Sequence, residues 1–203
     1  MIPVTRPPKP VLVLLLALLL GFGAIAWTLA GEDEKATQET FRARVVNVGG
    51  NLPTGTGLMW MTVESWSTDQ EREALLRGLQ AGGTDGLVKA MREMDKGYVR
   101  FQETLRWKVN HAVTFDTPEG RKVRLVTERP ILFVETRGSL RTEDYPVGVV
   151  EFLLPADGKP GSGVLIPAAR VTINEASKSI EIETAPGNTA PMQLTSVEIY
   201  KKK

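Results

Sequence analysis

Cysteine is absent from this sequence, and histidine occurs once, at His111. Without cysteine there can be no disulfide staple, no thiolate metal ligand and no cysteine nucleophile. Lipid attachment through an N-terminal cysteine is excluded as well, so a folded domain must rely on its core. A single histidine narrows metal chemistry further, because zinc would have to rest on carboxylates with one imidazole, an uncommon set. A surplus of one charge sign is also missing. Residues 1–30 hold two of the 25 basic residues, Arg6 and Lys9, and none of the 24 acidic ones, which leaves 23 against 24 and a formal charge of −1. That balance supplies no electrostatic footprint for nucleic acid.

Several chemical signatures are missing too. "GGNLPTGTG", from Gly49, is rich in glycine like a phosphate loop. It lacks the Lys-Ser/Thr pair and leads toward a strand, not a helix. "PGSGV" around Ser162 is not a G-x-S-x-G nucleophile elbow and lies in a turn. Dinucleotide, kinase and EF-hand patterns do not occur. The carboxylates Glu64, Glu128, Glu135, Glu143 and Asp144 are scattered, with no pair identified, and Arg129, Arg137 and Arg141 near them read as partners in surface ion pairs. The sequence therefore assigns no catalytic residue, no metal ligand and no cofactor.

What is present begins with residues 1–30. Arg6 and Lys9 precede an uncharged run from Val11 to Ala30, the pattern of an export signal with its N-terminus in the cytoplasm. Twenty residues reach about 30 Å as a helix, enough to span a bilayer as a retained anchor. "TLA" before Gly31 also suits cleavage, and both outcomes stay open. The domain beyond is then periplasmic or extracellular. Residues 31–40, "GEDEKATQET", lack an apolar period and read as a polar tether. The terminal "KKK" reads as a frayed, solvated tail.

Residues 41–200 read as one β-rich domain. "GLMWMTVESW" forms a strand from Gly57 on. Thr68 and Glu71 have capping-box spacing ahead of helical sequence. Leu75, Leu76 and Leu79 share a face, Gly82 and Gly83 interrupt it, and Leu87, Val88, Met91 and Met94 resume it. The result is a helical hairpin over 69–96 that must lie on a sheet. Between Leu105 and Phe115 strict alternation places Leu105, Trp107, Val109, His111, Val113 and Phe115 on one face. Further strands follow at "RKVRLVTE", "ILFVETRG", "VGVVEFLL", "VLIPAARVTI", "SIEIET" and "MQLTSVEIY". The fold class is thus mainly β: about ten antiparallel strands in a barrel or two-layer sandwich, with the hairpin inserted.

Two places are candidates for function. Trp107 and His111 lie on the inward face, where a hollow barrel or a gap between layers would present them to a small apolar or amphiphilic ligand. Trp60 and Trp66 share one side of their strand. One face of that strand reads as meeting the core and the other the hairpin around Met91 and Met94; the alternative is a surface interaction patch at Trp60 and Trp66.

"GLMWMTVESWSTDQEREALL", "VTERPILFVETRGSLRTEDYPVGVVEF" and "VTINEASKSIEIE" resemble an uncharacterised family of exported bacterial proteins over most of residues 41–200. The resemblance implies an extracytoplasmic β-rich protein and carries over no functional residue. The expectation is an exported, non-catalytic binding module of the cell envelope. The alternative is a membrane-tethered interaction or structural module, and an enzyme built on His111 comes third. The oligomeric state is not legible.

Overall fold

The computed structural model describes residues 38–47, 55–101, 106–131, 144–174, 176–177, 179–185 and 191–201. The apolar segment at 1–30, nearly all of the tether and most of the strand expected at 131–138 lie outside them. So do Glu135, Arg137, Arg141 and Glu143. No helix among the described residues is long and apolar enough to cross a membrane.

The chain forms β1 (Glu39–Asn47), β2 (Gly55–Val63), α1 (Asp69–Met91), β3 (Gly97–Phe101), β4 (Arg106–Val109) and β5 (His111–Thr117). It continues as β6 (Gly120–Thr127), β7 (Val147–Pro155), β8 (Gly161–Asn174), β9 (Ser179–Thr184) and β10 (Met192–Ile199). All ten strands join one sheet in the order β4-β3-β2-β1-β10-β8-β7-β6-β5, with β9 paired to β8. Every pairing is antiparallel. The two ends of this order, β4 and β5, are consecutive in the chain with Asn110 alone between them. One bent strand therefore bonds β3 with its first half and β6 with its second, and the sheet curls into a nearly closed barrel. Closure of this kind removes most of the exposed edge that a sandwich would leave.

The bend breaks the expected alternation. Trp107 and Val109 point into the barrel, but so does Ala112, so that His111, Val113 and Phe115 fall outside. Asn110 is the cause. Its side chain is fully buried, and its Nδ2 donates to the carbonyls of Met91 (3.0 Å) and Met94 (3.1 Å). Its Oδ1 accepts from the Glu128 amide at 2.9 Å, and its own amide donates to the Val126 carbonyl at 2.9 Å. A buried amide pays for its desolvation only when its groups are matched, and here they are. The free side of β5 is held at Ala112, whose carbonyl accepts from the Ser67 amide and whose amide donates to Ser67 Oγ.

Inside the barrel Phe41, Met59, Met61, Val63, Val99, Trp107, Val123, Leu125, Phe152 and Leu165 form the main core. Phe41 packs edge-on to Phe152 at 5.0 Å, and Phe101 to Trp107 at 5.9 Å. One end is closed by Arg121, which holds Glu39 through two bonds of 2.8 and 3.0 Å and lies 5.0 Å above the Trp66 ring.

A second apolar layer lies outside the barrel, under α1. The capping box forms as its spacing predicts, with Thr68 and Glu71 bonded reciprocally. The helix is folded at Gly82 and Gly83, and Gly83 takes a φ of +58° that other residues resist. The two halves double back so closely that a Cβ on Gly86 would lie 2.0 Å from the Gly78 carbonyl oxygen. Leu75, Leu79, Leu87 and Met91 then face Val147, Val149, Ile166, Ala169 and Val171. The helix thus sits on β8 and its neighbours, not on β2 as expected. Thr84 Oγ1 ties the fold of the helix to β8 by donating to the Val171 carbonyl at 2.8 Å.

The length of β8 makes this layer possible. Its first half pairs with β10 and its second half with β9, with a bulge near Pro167 between them. The β8–β9 hairpin therefore leaves the barrel wall and carries Ile173, Ile180 and Ile182 toward the helix.

Candidate functional site

Between α1 and the outer surface of β5–β9 there is a cavity of about 130 Å³. Leu75, Leu76, Leu79, Leu87 and Met91 line it from the helix, and Val126, Val149, Val171, Ile180 and Ile182 from the strands. Its polar lining is confined to Arg72, His111 and Arg124. Each wall follows from a local rule. Helical spacing turns the leucines toward the sheet. Period two in β6 and β7 presents Val126 and Val149 outward while Val123, Leu125 and Val150 fill the barrel.

His111 reaches this cavity only because the strand shifts phase at Asn110. It is half-buried, and its Nδ1 is buried without a hydrogen-bond partner among the described residues. Burial first, and then the guanidinium of Arg124, push the imidazole from 6.5 down to about 4. Lys96 and Arg72 act in the same direction, while Glu71 opposes them. At neutral pH the side chain is therefore uncharged. No carboxylate or hydroxyl is bonded to Nδ1, so the described residues hold no assembled His-based dyad.

The charged groups nearby are organised. Lys96, almost buried, bonds Glu71 at 2.7 Å. Burial pushes the Glu71 carboxyl up, but the Lys96 bond and the Thr68 amide outweigh it and leave the group below its ordinary value. Arg124 donates twice to Glu151, at 2.8 and 2.6 Å, with Lys122 at 3.4 Å from the same carboxylate. Arg72 pairs with Asp69 one turn earlier, at 3.1 Å, and is largely exposed. No group of three or more acidic or histidine side chains able to hold a metal occurs among the described residues.

The four candidate residues separate. Trp107 belongs to the barrel core, is 2% exposed and does not line this cavity, whereas His111 lies across the sheet from it. Trp60 points outward from β2, with the Arg100 guanidinium 4.6 Å above its ring. Trp66 packs against the barrel core at its closed end. Trp60 and Trp66 form no common patch. Instead Trp60 joins a row across paired strands, Arg42–Trp60–Arg100–Arg106, in register. Arg106 stacks on Tyr98 at 4.2 Å, and Arg42 pairs with Glu198.

The sequence offered no warning of Arg72 and Arg124. One signal was present for the cavity wall: "VGVVEFLL" is apolar on both faces over Val147–Val150, as a strand covered twice must be.

Compared with protein-family models, with curated proteins and with solved structures, the chain matches nothing.

Proposed function

We propose that the protein is an exported binding module of the cell envelope that holds a small apolar or amphiphilic ligand between α1 and the sheet, without transforming it. The observation that carries this is the cavity itself. A void of about 130 Å³ lined almost wholly by Leu, Val, Ile and Met side chains stands beside a barrel interior filled by its own side chains. Concave, mostly apolar sites with a few polar groups are where small molecules bind. A depressed, neutral histidine and two arginines at such a cavity give a ligand polar groups to orient against. Export rests on residues 1–30, whose charge order and length suit a cleaved signal or a retained anchor.

The test is titration of the full-length chain with 1-hexanol or benzene, followed by methyl NMR and thermal unfolding. Binding should shift methyl signals of Leu75, Leu79, Val149 and Ile182 and raise the melting temperature. Leu79→Trp, which fills the cavity, should lose both responses. No methyl shift at millimolar ligand would sink the proposal.

A second possibility, an interaction module, draws on the row Arg42–Trp60–Arg100–Arg106. It lies on the face of β1–β4, away from the second layer where α1 packs. A photo-crosslinker at Trp60 that captures one defined envelope protein, and loses it on Arg100→Gln, would move this possibility ahead of the first.

A further inference from the structure

The polar side chains that line the cavity directly are cationic or neutral, with no carboxylate among them, and this deepens the ligand-binding proposal on which it rests. Three cations, Arg124, Lys96 and Arg72, lie near enough to act on the His111 imidazole, with the Glu71 carboxylate opposing them. Of these, Lys96 and Glu71 already bond each other at 2.7 Å. Arg124 and Arg72 line the cavity directly. Each has a carboxylate partner, Glu151 or Asp69, but a guanidinium carries five N–H donors and one carboxylate does not use them all. The remaining lining is aliphatic apart from His111, and no acidic side chain is among it.

The geometry points to a short-chain monocarboxylate of about six carbons as the ligand: its tail among Leu75, Leu79, Val149 and Ile182, and its carboxylate directed to Arg72 and Arg124. Tail length follows from volume, since a void of about 150 Å³ accommodates benzene. Head-group sign follows from the two guanidiniums and from the absence of any lining carboxylate. An ammonium head would meet two like charges there, and a hydroxyl oxygen would accept from a guanidinium without the ion pairing that a carboxylate adds.

The experiment compares hexanoate, 1-hexanol and hexylammonium on the full-length chain at pH 7. Because His111 is the sole histidine, its imidazole proton signals report on the site without assignment by mutagenesis. Hexanoate should bind about tenfold more tightly than 1-hexanol and shift the His111 signals, and hexylammonium should not compete. Arg72→Gln, at a largely exposed position, should erase most of the hexanoate advantage and leave 1-hexanol unchanged. Equal affinities for hexanoate and 1-hexanol would overturn the head-group assignment and leave the apolar cavity standing. Tighter binding of hexylammonium would reverse its sign. Failure of all three to bind would remove the ligand-binding proposal together with this one.

Discussion

The two apolar layers of this protein share β6, β7 and β8 and differ in quality. Inside the barrel, large side chains such as Trp107, Phe41 and Phe152 are excluded from solvent and lock edge-to-face. Under α1, the buried leucines retain up to 8% exposure, a void remains among them, and a histidine nitrogen lacks a partner. Close packing is what makes a core stable and inert, because space that is already filled cannot admit a ligand. The second layer gives up some of that stability and keeps a place where something else can enter. The comparison separates the part of the chain that holds the fold from the part that is open to chemistry.

The sharpest way to break the comparison is to cut each layer. Trp107→Ala should cost about 4 kcal/mol in urea unfolding, as large truncations in a filled interior do. A loss as small as that expected under α1 would mean that the barrel is not the tighter layer. Asn110→Ala should cost about 3 kcal/mol and loosen both layers at once. It leaves the Met91 and Met94 carbonyls and the Glu128 amide unmatched. Hydrogen exchange should then accelerate in α1 and in β6 together, and acceleration in α1 alone would show that the asparagine serves only the helix.

The pH dependence addresses the second layer by itself. The folded state holds His111 at about 4, while an unfolded chain takes up the proton near 6.5. Protons are then bound preferentially by the unfolded chain between those values. The stability associated with His111 is complete above pH 6.5 and is lost as pH falls to 4, to about 3 kcal/mol in all. His111→Leu should abolish that slope and stabilise the protein below pH 6. A slope unchanged in the variant would assign it to other groups. Smallest is Leu79→Ala, expected to cost about 2 kcal/mol because the void beneath the helix already leaves the leucine incompletely packed. A cost equal to that of Trp107→Ala would erase the distinction between layers.

Much of the architecture was legible in the sequence, and the failure at one residue explains most of the rest. Alternation gives strands their faces, and Thr68 with Glu71 marks the helix start. The paired glycines mark its fold. Alternation assumes an unbroken strand, however. Through Asn110 it carried the inward face one residue too far and placed His111 beside Trp107 in the barrel. A polar residue between Val109 and His111 has no visible meaning in one dimension. Its value lies in four hydrogen bonds to the ends of α1 and β6 and the residues just after them, partners up to 19 residues away. Arg124 was unreadable for a related reason. An arginine on an exposed strand face and one beside a helix-covered cavity look alike until the helix has been placed. Trp60 and Trp66 shared a predicted face, yet the strand ends at Val63 and Trp66 turns to the barrel end.

The place of β10 in the ring has a consequence for assembly. β10 is the last of the described strands, yet it stands between β1 and β8, and Arg42 on β1 meets Glu198, 156 residues later. At a synthesis rate of about 5–20 residues per second, β1 waits on the order of ten seconds for that neighbour. Until residues 192–199 exist, β1 and β8 each present an unpaired edge, and any chain ending short of them keeps both permanently. Termination before residue 192 therefore yields two sticky edges instead of a slightly shorter protein, and such products should accumulate as aggregates or be degraded.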